Sequence, residues 1–261
     1  IRNIFINDHD RRLAIATWAA MFSGGAVLGP VIGGYLLEHF WWGSVFLINV
    51  PVILVFIPAA LWALPESRDP NPGRFDPLSI VLSLTAMVPM VFAIKHIASH
   101  GLDDLAWACL ALGIGSGWVF VRRQRTSVSP MLDLSLFKNP VFSGALIANA
   151  LSLMGLAGFL YFGAQLLQLV IGLSPLESAL VLVPGLLTTM VAGFVAVRVV
   201  EKVRVHVLVP ASFMLSALGY AMAAFTGHPT VASVAIAFTV LGLGIGLAET
   251  ITNDLGLSSV P

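Results

Sequence analysis

Long apolar runs separated by short polar connectors organise the chain. The runs cover roughly 13–37, 41–64, 78–98, 105–121, 141–170, 176–198, 206–226 and 230–250. Each approaches the ~20 residues that a helix needs to cross the hydrocarbon core. They predict an all-α integral membrane protein with about eight transmembrane helices. The connectors fall at 38–40, 65–77, 99–104, 122–140, 171–175, 199–204 and 226–229. The 65–77 stretch is the clearest linker, because Pro65, Pro70, Pro72 and Pro77 stand among Glu66, Arg68, Asp69 and Arg74, and prolines forbid a continuous helix.

Composition points the same way. The chain is 58% hydrophobic and only 10% charged, with a mean hydropathy of +0.95, whereas soluble domains carry about 25% charged residues. Acids and bases cancel to a net charge of +0, so no basic field argues for nucleic acid. The single cysteine, Cys109, lies in an apolar run and reads as a small buried residue. The chain begins with Ile1 rather than Met, which is expected of a fragment of a longer protein.

The basic residues orient the spans. Of the 13 lysines and arginines, Lys95 alone falls near one side of the alternating connectors. Arg2, Arg11, Arg12, Arg68, Arg74, Arg122, Arg123, Arg125, Lys138, Arg198, Lys202 and Arg204 fall on the other. By the positive-inside rule the amino-terminal end and the 65–77, 122–140 and 199–205 segments are expected in the cytoplasm.

Within the first run, Gly25, Gly29 and Gly33 recur every four residues and form one helical stripe without side chains. A neighbouring helix can approach such a stripe to backbone contact, the packing that lipid rewards. Pro30 cannot donate a backbone hydrogen bond and bends or loosens the helix there. The full string, Gly24-Gly25-Ala26-Val27-Leu28-Gly29-Pro30-Val31-Ile32-Gly33-Gly34, resembles the fifth-span motif of proton-coupled drug antiporters of the major facilitator superfamily. Two further stretches are similar to that family. The segment from Trp41-Trp42-Gly43 through Phe46-Leu47-Ile48-Asn49-Val50-Pro51 looks like the start and core of its sixth span. Tyr161-Phe162-Gly163-Ala164-Gln165, then Gly172-Leu173-Ser174-Pro175-Leu176 and Leu182-Val183-Pro184, resemble the ninth-to-tenth span region of the branch with about 14 spans.

The resemblance implies a partial major facilitator helical bundle covering about spans 5 to 12. Residues 1–64 would close the amino-terminal six-helix bundle with two spans. Residues 65–125 would be a cytoplasmic linker plus the extra helix pair, and 126–261 would open the carboxy-terminal bundle with four spans. It implies a monomeric bacterial plasma-membrane antiporter that exports small lipophilic or cationic drugs in exchange for protons, with Gly25, Gly29, Pro30, Gly33 and Gly34 as its helix-packing motif. Two other functions remain open: export of an endogenous lipid or metabolite by the same fold, and a non-transporting membrane scaffold.

Chemistry inside the spans is sparse. Glu249 is the only carboxylate of the 230–250 run and follows Gly242 and Gly246 by seven and three residues, so it shares their face. An acid within a span is costly when ionised and unpaired, and can serve as a proton or cation site. With the helix ending near 250, it would instead meet water at the cytoplasmic end. Tyr161, Gln165 and Gln168 share a helical face, with Asn149 and Ser152 on the same span. This stripe is either a substrate-cavity wall or a set of interhelical hydrogen bonds. Asn49 is expected to satisfy a backbone group freed by Pro51. Pro58, Pro89 and Pro184-Gly185 are further expected bend points.

Lys95, His96, His100, Asp103 and Asp104 form an outer cluster that reads as an interfacial helix cap, although the spacing of His96 and His100 would also suit one metal ion. Glu177 reads as an early-turn helix acid. Arg198, Glu201, Lys202 and Arg204 are either cytoplasmic anchors or an inward-side lock. Gly242-x-Gly244-x-Gly246 follows no strand and lacks the spacing of a dinucleotide site. With no nucleophile–base pair, metal-protease motif or phosphate loop in the sequence, neither an enzyme nor a cofactor is expected.

Overall fold

A computed structural model describes residues 8–63, 76–127 and 130–259, which are helical with short connections. The helices are α1 (Asp8–His39), α2 (Ser44–Leu47), α3 (Asn49–Ala63), α4 (Pro77–His100), α5 (Asp104–Thr126), α6 (Pro140–Gln165), α7 (Pro175–Val200), α8 (Val205–Ala224) and α9 (Val231–Ser258). A 3-10 turn at Leu136–Lys138 precedes α6, and a π turn at Leu166–Val170 follows it. Seven of the described helical stretches are long and apolar enough to cross a membrane. Arg2, Arg68, Arg74 and most of the 65–77 linker lie outside the described residues.

The chain divides into two compact units, residues 1–67 with 144–261, and residues 68–143. In the first, α9 is the central element. Half of its most apolar stretch is buried (50%), against 0% for α2 and α3 together. Its alternating glycines explain how. Residues four apart on a helix share a face and residues two apart oppose each other, so Gly242 and Gly246 face α7 while Gly244 faces α8. A methyl group on Gly242 would lie 2.7 Å from Thr189 Oγ1, one on Gly246 2.9 Å from Ala192 Cβ, and one on Gly244 2.5 Å from the Ser212 carbonyl. Gly219 of α8 answers from the other side, where a methyl would stand 2.6 Å from the Leu241 nitrogen. Such backbone approach gains dispersion contacts where lipid offers no hydrophobic driving force. Below the glycines, Phe238 fills the space over Gly185 and stacks on Phe159 of α6, with ring centroids 4.8 Å apart.

Helix starts follow local chemistry. Ser174 and Glu177 form a reciprocal capping box at α7: the Glu177 N–H donates to Ser174 Oγ at 3.2 Å, and the Ser174 N–H donates to Glu177 Oε2 at 2.8 Å. Thr230 and Ser233 do the same for α9. Gly101 and Gly172, the residues with positive φ (83° and 84°) among the described residues, end α4 and the π turn with a backbone that side chains resist. Pro51 interrupts the predicted 41–64 span, which breaks into α2 and α3 at Ile48. The expected Asn49 bond is not made: Asn49 is exposed and its amide has no partner among the described residues, because Pro51 sits in the first turn of α3, where a missing N–H costs little.

In the second unit α4 and α5 form a hairpin pinned at both ends. At one end Arg123 grips Asp76 through two 3.1 Å bonds, and buried Gln124 donates to Ser79 Oγ at 2.8 Å. At the other, His96 Nε2 lies 2.8 Å from Asp103 Oδ2, while Asp103 Oδ1 caps α5 by accepting the Ala106 N–H at 2.8 Å. His100 stacks on His96 with centroids 4.6 Å apart. The outer cluster is thus a cap and an interhelical clasp. The predicted 105–121 span extends to Thr126, since Arg122, Arg123 and Arg125 can run along the helix end and still reach polar surroundings.

The Arg123 guanidinium and the Ser79 hydroxyl hold the Asp76 carboxyl well below the usual carboxylate range. A lowered acid stabilises the fold above its ordinary titration range and loses that contribution progressively as pH falls from that range through its lowered value. The protection of amides at the start of α4, relative to their intrinsic exchange rates, should therefore fall below about pH 4, and Asp76→Asn should show the reduced protection already at neutral pH. The α9 packing yields a second expectation. Gly246→Ala should lower the unfolding midpoint in detergent by an amount equivalent to about 1–3 kcal/mol. Gly115→Ala, where a methyl meets nothing within 4 Å, should leave it unchanged or raised.

Candidate functional site

Polar groups within membrane-length helices must find partners, so the ones left over mark candidate sites. Most hydroxyls here are spent on their own helix. Ser212 Oγ donates to the Leu208 carbonyl at 2.8 Å, Ser216 Oγ to Ser212 at 3.1 Å, and Thr252 Oγ1 to Ala248 at 2.8 Å. The buried hydroxyls of Ser44, at the start of α2, and Ser152 are the exceptions, and Ser152 is the deeper of the two. It is 3% exposed, and its hydroxyl has no partner among the described residues; the same holds for the buried amide nitrogen of Asn149, one turn earlier on α6.

Ser152 lines a cleft of about 210 Å³ between α6, α8 and α9, together with Gly155, Phe213, Ser216, Tyr220 and Ile245. Tyr220 bridges the helices by donating its hydroxyl to the Gly155 carbonyl. Gly155 allows this approach, since a methyl there would stand 3.0 Å from the Tyr220 oxygen. The result is an aromatic and apolar cleft with one unsatisfied hydroxyl, which suits an apolar ligand bearing a hydrogen-bonding group. Phe213, Ser216 and Tyr220 were not singled out by the sequence reading. The recurrence of Ser212, Ser216 and Tyr220 every four residues is the signal that could have found them.

Glu249 lies on α9 one turn beyond Ile245, half-buried, on the flank of Gly242 and Gly246. Its carboxylate makes no hydrogen bond or ion pair among the described residues. The helix does not stop near 250 but runs to Ser258, with Ile251 and Thr252 each 2% exposed. Glu249 is therefore inside a packed helix and not at its fraying end.

The stripe on α6 is less concentrated than its spacing suggests. Tyr161 is 62% exposed and edges against Phe162, Gln165 is half-buried, and Gln168 is exposed within the π turn. That turn bonds the Ile171 N–H to Leu166 instead of Leu167 and puts Leu167 in the core. It changes the helical register beyond Gln165, which displaces Gln168 from the stripe; of the predicted polar residues Ser152 lines the cleft, while Asn149, Tyr161, Gln165 and Gln168 do not.

On α1, Gly34 takes the tight contact: a methyl there would stand 2.8 Å from the Pro175 carbonyl at the start of α7. Ser174 Oγ also donates to Glu38 at 3.3 Å. Gly25, Gly29 and Gly33 would meet nothing within 4 Å among the described residues, and Pro30 is half-buried within the unbroken helix. Among the described residues no group of three or more His, Cys, Asp or Glu side chains could hold a metal ion.

Comparison with known proteins agrees with this architecture. The chain is 48% identical to the multidrug efflux pump LfrA of Mycolicibacterium smegmatis, over 100% of this chain and 52% of that protein. It is 34% identical to the methyl viologen resistance protein SmvA of Salmonella typhimurium, over 88% of this chain and 47% of that protein. It is 29% identical to a tetracenomycin C resistance and export protein of Streptomyces glaucescens, over 95% of this chain and 47% of that protein. The chain thus spans about half the length of the curated relatives it matches. The family model of the Major Facilitator Superfamily matches residues 5–261, and with its helices of membrane-spanning length the chain belongs to that superfamily.

Proposed function

We propose that this chain is part of a proton-coupled exporter of lipophilic and cationic drugs, working by alternating access as a monomer in the bacterial plasma membrane. Its amino-terminal end would be cytoplasmic, as the distribution of basic residues implies. The observation that carries the reading is Glu249, a carboxylate without a partner among the described residues, inside the best-packed helix of a chain similar along its whole length to a multidrug efflux pump. An unpaired intramembrane acid can take up a proton or a cation but not hold both, which is the elementary requirement of exchange. Ser152 and Asn149 would meet the polar part of a substrate, and the aromatic walls of Phe213 and Tyr220 its apolar body. Tyr161, Gln165 and Gln168 would extend the polar path along α6. In this reading residues 1–64 belong to the amino-terminal bundle, 65–125 carry the extra helix pair, and 126–261 open the carboxy-terminal bundle.

The glycine stripe has its own place. Because Gly25, Gly29 and Gly33 face no atom of the described residues, they are available to a further helix, while Gly34 secures α1 against α7. Sealing of the pathway during rocking of the two bundles would rest on these contacts.

Two measurements test the proposal on the full-length protein in inverted vesicles with an imposed pH gradient and a cationic dye such as ethidium. Glu249→Gln should cut gradient-driven dye accumulation at least about tenfold, equivalent to about 1.4 kcal/mol, with dye binding reduced or its pH dependence lost. Unchanged, uncoupler-sensitive accumulation would remove Glu249 from the mechanism, and no accumulation by the wild type across unlike dyes would favour an endogenous cargo. Gly29→Leu should abolish accumulation while the protein still inserts in the membrane; full activity would show that the stripe seals nothing.

A further inference from the structure

A second cleft, unrelated to the cargo path, lies at the end of α5. It measures about 710 Å³ and is formed by the last turn of that helix and the connector leading to α6. Its walls are fixed by Gln124, which is 3% exposed. The Gln124 side chain donates to Ser79 and accepts the Leu132 N–H at 3.1 Å, pinning the connector back on the hairpin.

Two cations, Arg125 and Lys138, line this cleft with one acid, Asp133. Asp133 is drawn onto the connector, where it accepts the Ser135 N–H at 2.8 Å, and its carboxyl is held low by Ser135 and the nearby Lys138 charge. Arg125 has no ion pair among the described residues, in contrast to Arg123, which Asp76 neutralises. The cleft therefore keeps a net positive charge and offers Ser127 and Ser135 as hydrogen-bonding groups.

Its other lining is apolar. Leu134 and Phe137 face it, and Phe137 is 43% exposed; about two turns before Arg125 on α5, Trp118 is 62% exposed with the Arg122 guanidinium 5.4 Å above its ring. Tryptophan beside arginine at the end of a span marks the membrane interface. A soluble anion has no use for the aromatic and aliphatic wall, whereas a lipid uses both halves. The positive-inside orientation puts this end of α5 at the cytoplasmic leaflet, where anionic lipids attract juxtamembrane Lys and Arg. We infer that the cleft holds the phosphate headgroup of an anionic phospholipid between Arg125 and Lys138, with its upper acyl chains against Phe137.

The test uses the full-length protein in neutral detergent, titrated with short-chain phosphatidylglycerol and read by native mass spectrometry. Phosphatidylcholine of equal chain length and inorganic phosphate serve as comparison ligands. Phosphatidylglycerol should bind in preference to phosphatidylcholine. The double variant Arg125→Gln/Lys138→Gln should weaken it at least about tenfold, Arg125→Lys/Lys138→Arg should retain it, and Asp133→Asn should strengthen it. Arg198→Gln/Lys202→Gln, which removes exposed cations elsewhere on the same membrane side, should change binding less than about twofold. Equal losses in the two glutamine double variants would overturn the site in favour of diffuse surface charge. Equal binding of both lipids would overturn it outright, and displacement by millimolar phosphate would reassign the cleft to a soluble anion.

Discussion

The contact of α9 with α7 and α8 through bare backbone is the constraint on which the larger unit depends. A membrane helix gains nothing by hiding leucine from lipid that is itself apolar, so cohesion comes from dispersion between closely fitted surfaces. Gly242, Gly244, Gly246, Gly185 and Gly219 remove the methyl groups that would keep the helices apart. The cost is helix propensity, up to about 1 kcal/mol per glycine. In exchange, α9 is held on two flanks and presents Phe238, Leu241 and Ile245, all at 2% exposure or less, to α6.

The same tightness gives meaning to the polar groups. Where helices approach this closely, a serine or threonine hydroxyl usually turns back to its own carbonyl ladder, as Ser212, Ser216, Thr189 and Thr252 do. The Ser44 and Ser152 hydroxyls do not follow that economy, and the Asn149 amide nitrogen and the Glu249 carboxylate likewise have no partner among the described residues. The smaller unit solves a different problem. Its two helices have few buried side chains, and polar clasps at the two ends, Asp76–Arg123 with Ser79–Gln124 and His96–Asp103, fix their register.

Much of the architecture was legible in the chain. Hydropathy located all the long helices, because membrane depth sets a length that composition must satisfy, and turn and cap residues such as Ser174-Pro175 and Asp76-Pro77 set their starts. Boundaries failed where side-chain chemistry overrides hydropathy. The arginines at the end of α5 read as connector although they remain helical, and α9 continues past Glu249 through Thr252, Asn253 and Asp254. The π turn after Gln165 was not legible, since one extra residue in a helical ladder leaves no compositional trace, and it alters the register of the polar stripe that a uniform 3.6-residue period predicts.

The sequence by itself determined the fold class, the approximate limits of seven of the eight predicted spans, and the residue types available for chemistry, because each of these depends on local length, hydropathy and spacing. Tertiary structure alone decided which glycines are contacts: Gly34, Gly242, Gly244 and Gly246 press on neighbours while Gly25, Gly29 and Gly33 face none among the described residues. It also decided which polar groups stay unsatisfied, and it drew Tyr220 and Gly155, 65 residues apart, into one cleft wall. Small-residue stripes and hydroxyls look alike in sequence whether or not a partner stands opposite, and only the packing of one helix on another supplies that partner.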